Sequence, residues 1–145
     1  MQPENALQTE RLRVLIVDDD AACATGLAEA VEDLGALARI CIRGKDAMAA
    51  ARDFSPEMIL LDLDMPGLSG FDIASTIRAM TSMHATKLIA ISGHNDAEAR
   101  RDTARAGFDL HLAKPVRLAV LEDIVDLTRT ILGYAAPPPS LASAR

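Results

Sequence analysis

The feature that most constrains this chain is a set of short apolar runs that stop on polar, chemically capable residues. Arg13–Val17 (RVLIV) runs into Asp18-Asp19-Asp20, Met58–Leu61 into Asp62, Lys87–Ile91 into Ser92-Gly93-His94, and Leu110–Ala113 into Lys114-Pro115. An apolar run without polar alternation suits a strand buried on both faces, as in a parallel sheet covered by helices on both sides. Between the runs the apolar period becomes helical: Cys23, Leu27, Val31 and Leu34 before Gly35; Ala47, Met48 and Ala51 within Lys45–Phe54; Ile73, Ile77 and Met80; Leu118, Leu121, Val125 and Leu132 before Gly133. Glu98–Ala106, closed by Gly107, has little apolar stripe and is expected on a partly exposed face. With Leu37–Ile42 as the remaining strand, five strands alternate with five helices. This predicts an α/β fold with a doubly wound five-stranded parallel sheet, order 2-1-3-4-5.

At 145 residues the chain is long enough for one domain. Residues 1–10 read as a flexible N-terminus, 11–133 as the domain, and 134–145, with the run AAPPPSLASAR, as a disordered Pro/Ala/Ser-rich tail. Fifteen Lys+Arg against 21 Asp+Glu leave a net charge of −6, which argues against binding nucleic acid or anionic lipid. An aromatic content of 3% provides no base-stacking platform. No apolar run nears the ~18–20 residues of a membrane span, so no membrane insertion and a cytoplasmic setting are expected. Cys23 and Cys41 form neither a zinc spacing nor a disulfide framework and are expected as small buried hydrophobes.

In such a sheet, ligands bind beyond the carboxyl ends of the strands, where the strand order reverses. Asp18, Asp19, Asp20, Asp62, Asp64, Ser92 and Lys114 therefore converge on one end. Two like charges ~4 Å apart repel by about 4 kcal/mol at an effective dielectric near 20, so the cluster calls for a cation. Oxygen ligands with few dedicated protein contacts suit Mg2+. Asp20 is accounted for as a helix N-cap, but that role does not explain a further Asp at the end of the central strand. A carboxylate beside Mg2+ and Lys is a competent nucleophile for a phosphoryl group, whose transfer is catalysed mainly by positioning and charge stabilisation. Lys114 and Ser92 are the remaining donors for the phosphoryl oxygens. Singly, each reads as a solvated cation and a turn residue; together at one sheet end they read as a site.

The segments Val17–Asp19 (VDD), Asp62–Gly70 (DLDMPGLSG), Ile89–Gly93 (IAISG) and Leu112–Val116 (LAKPV) resemble the receiver domain of two-component response regulators, over about Arg13–Leu132. The resemblance implies the flavodoxin-like receiver fold and a signalling phosphoacceptor that promotes only its own phosphorylation and dephosphorylation. It implies Asp62 as phosphoacceptor, supplied by a histidine kinase or histidine phosphotransfer protein. It implies Mg2+ on Asp19, Asp62 and the Asp64 backbone carbonyl, with Asp18 acting through water. Ser92 would be the switch hydroxyl, Lys114 the phosphoryl-contacting cation, and Lys114–Pro115 a cis peptide. Output would pass to a downstream protein target. Asp64 and His94, each two residues past a site residue, lie where receivers tune phosphoryl loss. His111 departs from the pattern, because receivers with an attached output domain usually carry Tyr or Phe three residues before the lysine. That histidine and the GFDLHLAKPV segment look similar to receivers fused to hybrid histidine kinases, and His111 is expected on the surface that reads the switch.

An alternative is a haloacid-dehalogenase-like phosphatase using Asp62 and Asp64 as its DxD pair. Against it, Pro66 stands where Thr or Val is expected, and no acidic pair follows Lys114. A flavodoxin-like binding module lacks the aromatic residues to sandwich a flavin.

Overall fold

The structure, a computed structural model, describes residues 11–134 apart from Leu68 and His84. The expected flexible N-terminus 1–10 and tail residues 135–145 lie outside the described residues. Strands β1 (Arg13–Val17), β2 (Leu37–Cys41), β3 (Met58–Asp62), β4 (Lys87–Ser92) and β5 (Leu110–Ala113) pair in parallel in the order β2-β1-β3-β4-β5, as predicted. They alternate with helices α1 (Ala21–Asp33), α2 (Ala47–Phe54), α3 (Gly70–Ala79), α4 (Ala97–Ala106) and α5 (Leu118–Ile131).

Successive strand side chains point to opposite faces, so each apolar run feeds two cores. Leu15, Val17, Ile59, Leu61, Leu88 and Ala90 pack on one side with Ala47 and Ala51 of α2 and Ile73 and Ile77 of α3. Val14, Ile16, Met58, Leu60, Ile89 and Ile91 pack on the other with Ala24, Ala28 and Val31 of α1 and Leu121 and Val125 of α5. Every residue of β3 is buried, which is why its sequence shows no polar alternation. Truncating a side chain there, such as Leu60, would cost about 2–5 kcal/mol.

The strands reach one residue further into the polar positions than the apolar runs suggested. Asp62 pairs with Ile91 and Ser92 with Ala113, because the ladder continues through Leu63 N–H to Ile91 O (2.9 Å) and Lys114 N–H to Ser92 O (3.0 Å). These residues are therefore held by the sheet itself. β2 ends at Cys41, leaving Ile42 exposed, and a single 3-10 turn, Gly44–Asp46, precedes α2. Gly35 and Gly107 follow α1 and α4 with φ of 92° and 104°, a left-handed conformation that glycine adopts without a Cβ penalty.

The cysteine expectation needs one correction. Cys41 is buried, but Cys23 is exposed. The core stripe of α1 is Ala24, Ala28 and Val31, so Cys23 sits one position round the helix on its first turn. As expected, α4 buries only Thr103. Tyr134, grouped with the tail by composition, packs on the α1/α5 core and donates its hydroxyl to Glu57 Oε2. Among the described residues no helix is long and apolar enough to cross a membrane.

Candidate functional site

Strands β1, β3, β4 and β5 deliver their polar successors to one end of the sheet. Asp18 continues the β1 ladder through its N–H to Cys41 O (3.1 Å) and accepts the Asp20 N–H at Oδ1 (2.9 Å). Asp20 caps α1 by accepting from Ala22 and Cys23 N–H at 3.0 and 3.1 Å, as its sequence position predicted. Asp62, only 4% exposed, accepts the Asp64 N–H at Oδ1 (2.9 Å) and meets Lys114 Nζ at 2.8 Å. One oxygen each from Asp18, Asp19 and Asp62 lie within 4.8 Å of one another.

Burial, followed by the facing Asp62 carboxylate, pushes the Asp18 carboxyl above its ordinary value despite the Asp20 N–H. Desolvation works against the Lys114 ammonium, but its bonds to Asp62 and Asp64 outweigh this and hold it above the ordinary lysine range. Lys114 thus pairs with Asp62 and Asp64, while Asp18 and Asp19 add two further carboxylates beside Asp62. Three clustered carboxylate oxygens form a hard, anionic donor set, which fits Mg2+ better than a soft metal.

The predicted ligand set used Asp64 through its backbone carbonyl and Asp18 through water. The structure gathers the carboxylates of Asp18, Asp19 and Asp62 and gives the Asp64 side chain other partners. Asp64 Oδ1 accepts from Ser92 Oγ (3.1 Å), and Oδ2 accepts from Gly93 N–H (2.8 Å) and meets Lys114 Nζ (3.1 Å). Ser92 is buried and its hydroxyl also accepts the His94 N–H at 2.9 Å. The Lys114–Pro115 peptide is cis, as the resemblance implied.

His111 is half-buried, with both ring nitrogens engaged. Nδ1 lies 3.1 Å from Thr103 Oγ1 and Nε2 lies 2.8 Å from Asn95 Oδ1. Arg100 reaches the His111 carbonyl at 3.2 Å and the Asn95 carbonyl at 3.2 Å. Sequence reasoning missed Asn95, Arg100 and Thr103, which carry no motif of their own and matter only because α4 folds back over β5. Burial first, then the Arg100 charge, hold His111 below its ordinary pKa.

The carboxylates and Lys114 line one end of a cleft of about 680 Å³ that continues between α1 and the start of α5, past Leu27 and Leu118. Leu118 is 62% exposed, so the rim beside the acidic pocket is apolar and open.

The response regulator receiver domain model matches residues 14–126. The chain is 31% identical to the sensor histidine kinase GacS of Pseudomonas protegens, over 99% of this chain and 16% of that protein. It is 31% identical to the DNA-binding response regulator MtrA of Mycobacterium tuberculosis, over 77% of this chain and 47% of that protein. The chain therefore spans less than half the length of either relative. The signal receiver domain of a DNA-binding response regulator from Colwellia psychrerythraea superposes with a TM-score of 0.76 at 25% identity, covering 80% of this chain and 96% of that one. The haloacid-dehalogenase-like alternative finds no support among these likenesses.

Proposed function

The chain belongs to the response regulator receiver family and is a phosphoacceptor signalling domain, and on that premise we propose that Asp62 takes the phosphoryl group. The observation that carries this reading is the placement of one nearly buried carboxylate at the end of the central strand, between the Asp18/Asp19 pair and the Lys114 ammonium. An Asp62 carboxylate oxygen attacks phosphorus, and the bond from phosphorus to a phosphohistidine nitrogen breaks, its electron pair staying on the imidazole. Water later attacks the same phosphorus, and Asp62 leaves again as carboxylate. Lys114 and Ser92 receive phosphoryl oxygens, so the domain promotes only its own labelling and unlabelling. Asp19 and Asp62, with Asp18 directly or through water and the Asp64 carbonyl, would hold Mg2+, which when bound offsets the charge of the carboxylates and of the phosphoryl oxygens.

The cleft beside the acidic pocket supports docking of a histidine kinase or histidine phosphotransfer protein, because an imidazole can enter there while Leu27 and Leu118 meet an apolar helix face. Phosphorylation then changes the face around Ser92 and His111, which contacts a downstream protein. The net charge of −6 supports action through protein and not nucleic acid contacts, in the cytoplasm where kinases are charged.

With acetyl phosphate and Mg2+, the intact protein should gain one hydroxylamine-labile phosphoryl group, and Asp62→Asn none. A label that persists in Asp62→Asn, or rapid turnover of assorted phosphomonoesters, would overturn the assignment.

A further inference from the structure

We propose that the Asp64 side chain is an internal stand-in for the phosphoryl group, holding the donors of the switch before Asp62 is modified. This rests on Asp62 being the phosphoacceptor and adds a role for its second neighbour. Three donors are available for an anion beside Asp62: the Ser92 hydroxyl, the Gly93 N–H and the Lys114 ammonium. The Asp64 carboxylate engages all three, at 3.1, 2.8 and 3.1 Å. A phosphoryl group presents three acceptor oxygens and needs the same kind of charge-assisted partners.

The fit between Asp64 and the loop after β4 is close. A Cβ at residue 93 would stand 3.4 Å from Asp64 Oδ2. Ser92 Oγ, while donating to Asp64, accepts the His94 N–H at 2.9 Å, so the carboxylate fixes the backbone of residues 92–94 through both bonds. Asn95 carries the arrangement on to His111 Nε2 at 2.8 Å.

Two consequences separate this chain from a receiver whose switch hydroxyl is free at rest. Phosphorylation exchanges one anion for another at Ser92 and Gly93, so these two donors keep an anionic acceptor while the displaced Asp64 carboxylate alters the face beside them. The Asp64 side chain is 28% exposed and has water to swing into, but it must leave before the phosphoryl oxygens can take its donors. Its removal should therefore speed labelling.

The test is amide NMR of the full chain with Mg2+, before and after loading with beryllofluoride, alongside acetyl phosphate labelling followed by intact mass. In unmodified Asp64→Ala, the Gly93 and His94 amides should lose the shift that hydrogen bonding gives them, and loading should return them toward their wild-type positions. Wild-type amides should change less than half as much on loading, and Asp64→Ala should label about threefold faster or more. Asp64→Asn keeps an acceptor for Ser92 without the charge and should fall between the two. Unmodified Asp64→Ala amides that coincide with wild type, or slower labelling in that variant, would overturn the stand-in role. An unlabelled wild-type protein would instead overturn the phosphoacceptor reading, whatever the amides do.

Discussion

The two ends of the sheet solve the same problem, a carboxylate beside a strand end, in opposite ways. At the amino end, Glu57 accepts the Arg13 N–H at 3.1 Å and the Tyr134 hydroxyl, and pairs with the Arg13 guanidinium at 3.7 Å. One carboxylate there meets one cation and two donors. At the carboxyl end, Lys114 pairs with Asp62 and Asp64, and Asp18 and Asp19 crowd two more carboxylates against Asp62. Among the described residues no buried side-chain N or O lacks a partner, so the carboxyl end is short of charge rather than of hydrogen bonds. A surplus of carboxylates costs stability and is retained where a cation and a phosphoryl group are to bind.

Removing the cation at each end should give the largest contrast. Lys114→Ala leaves the buried Asp62 beside Asp18 with no counter-charge, and should lower stability by about 2 kcal/mol after discounting for the lysine's partial exposure. Arg13→Ala should cost about 1 kcal/mol or less, since Glu57 keeps two donors. Urea denaturation in EDTA measures both, and added Mg2+ should restore part of the Lys114→Ala loss and none of the other. Equal losses at the two ends would break the comparison.

Neutralising a carboxylate should have opposite signs at the two ends. The Asp18 carboxyl is raised in the folded protein, so the folded state holds its proton more tightly than the unfolded one. Its destabilising contribution therefore grows as pH rises from the ordinary carboxylate value through the folded pKa, and is complete above it. Asp18→Asn, which keeps an acceptor for the Asp20 N–H, should stabilise metal-free protein by about 1 kcal/mol while weakening Mg2+ binding. Glu57→Gln should destabilise it by a similar amount. Thermal melts and Mg2+ titrations read both. A loss of stability in Asp18→Asn would mean that the crowded end is compensated by means other than a bound cation.

The fold was legible because β3 and its neighbours bury both faces, leaving uninterrupted apolar runs that end where the chemistry begins. Asp18, Asp62, Ser92 and Lys114 were legible for the same reason: each follows an apolar run. Cys23 was misjudged because small residues fill α1, and a window of Ala and Cys shows no phase. The Asp64 side chain was hidden because its partners, Ser92, Gly93 and Lys114, come from two other strands. The partners of His111 were hidden because Asn95 and Thr103 become its neighbours only through the return of α4 across β5.

The smallest expected effect concerns pH. His111 lies at the carboxyl end, whereas the amino-end network of Arg13, Glu57 and Tyr134 contains no histidine; burial and Glu57 push the Tyr134 hydroxyl up to about 12. The Thr103 hydroxyl donates to the Arg100 carbonyl at 2.9 Å, so toward His111 it accepts, and Nδ1 carries the proton. Nε2 then faces the Asn95 amide, which can turn its oxygen or its nitrogen toward the ring. Arg100 and Asp64 are the charged groups that act on it, the first against and the second in favour of protonation. Because the folded pKa lies below the ordinary 6.5, the unfolded state binds more protons in the window between the two values. The contribution of His111 is therefore fully present above pH 6.5 and is lost as pH falls through the folded pKa. The loss should stay below about 1 kcal/mol, since the ring is only half-buried. Melts of wild type and His111→Tyr across pH 5 to 7.5 should show the wild type losing more stability toward acid. Parallel curves for wild type and His111→Tyr would place the acid response elsewhere at this end of the sheet.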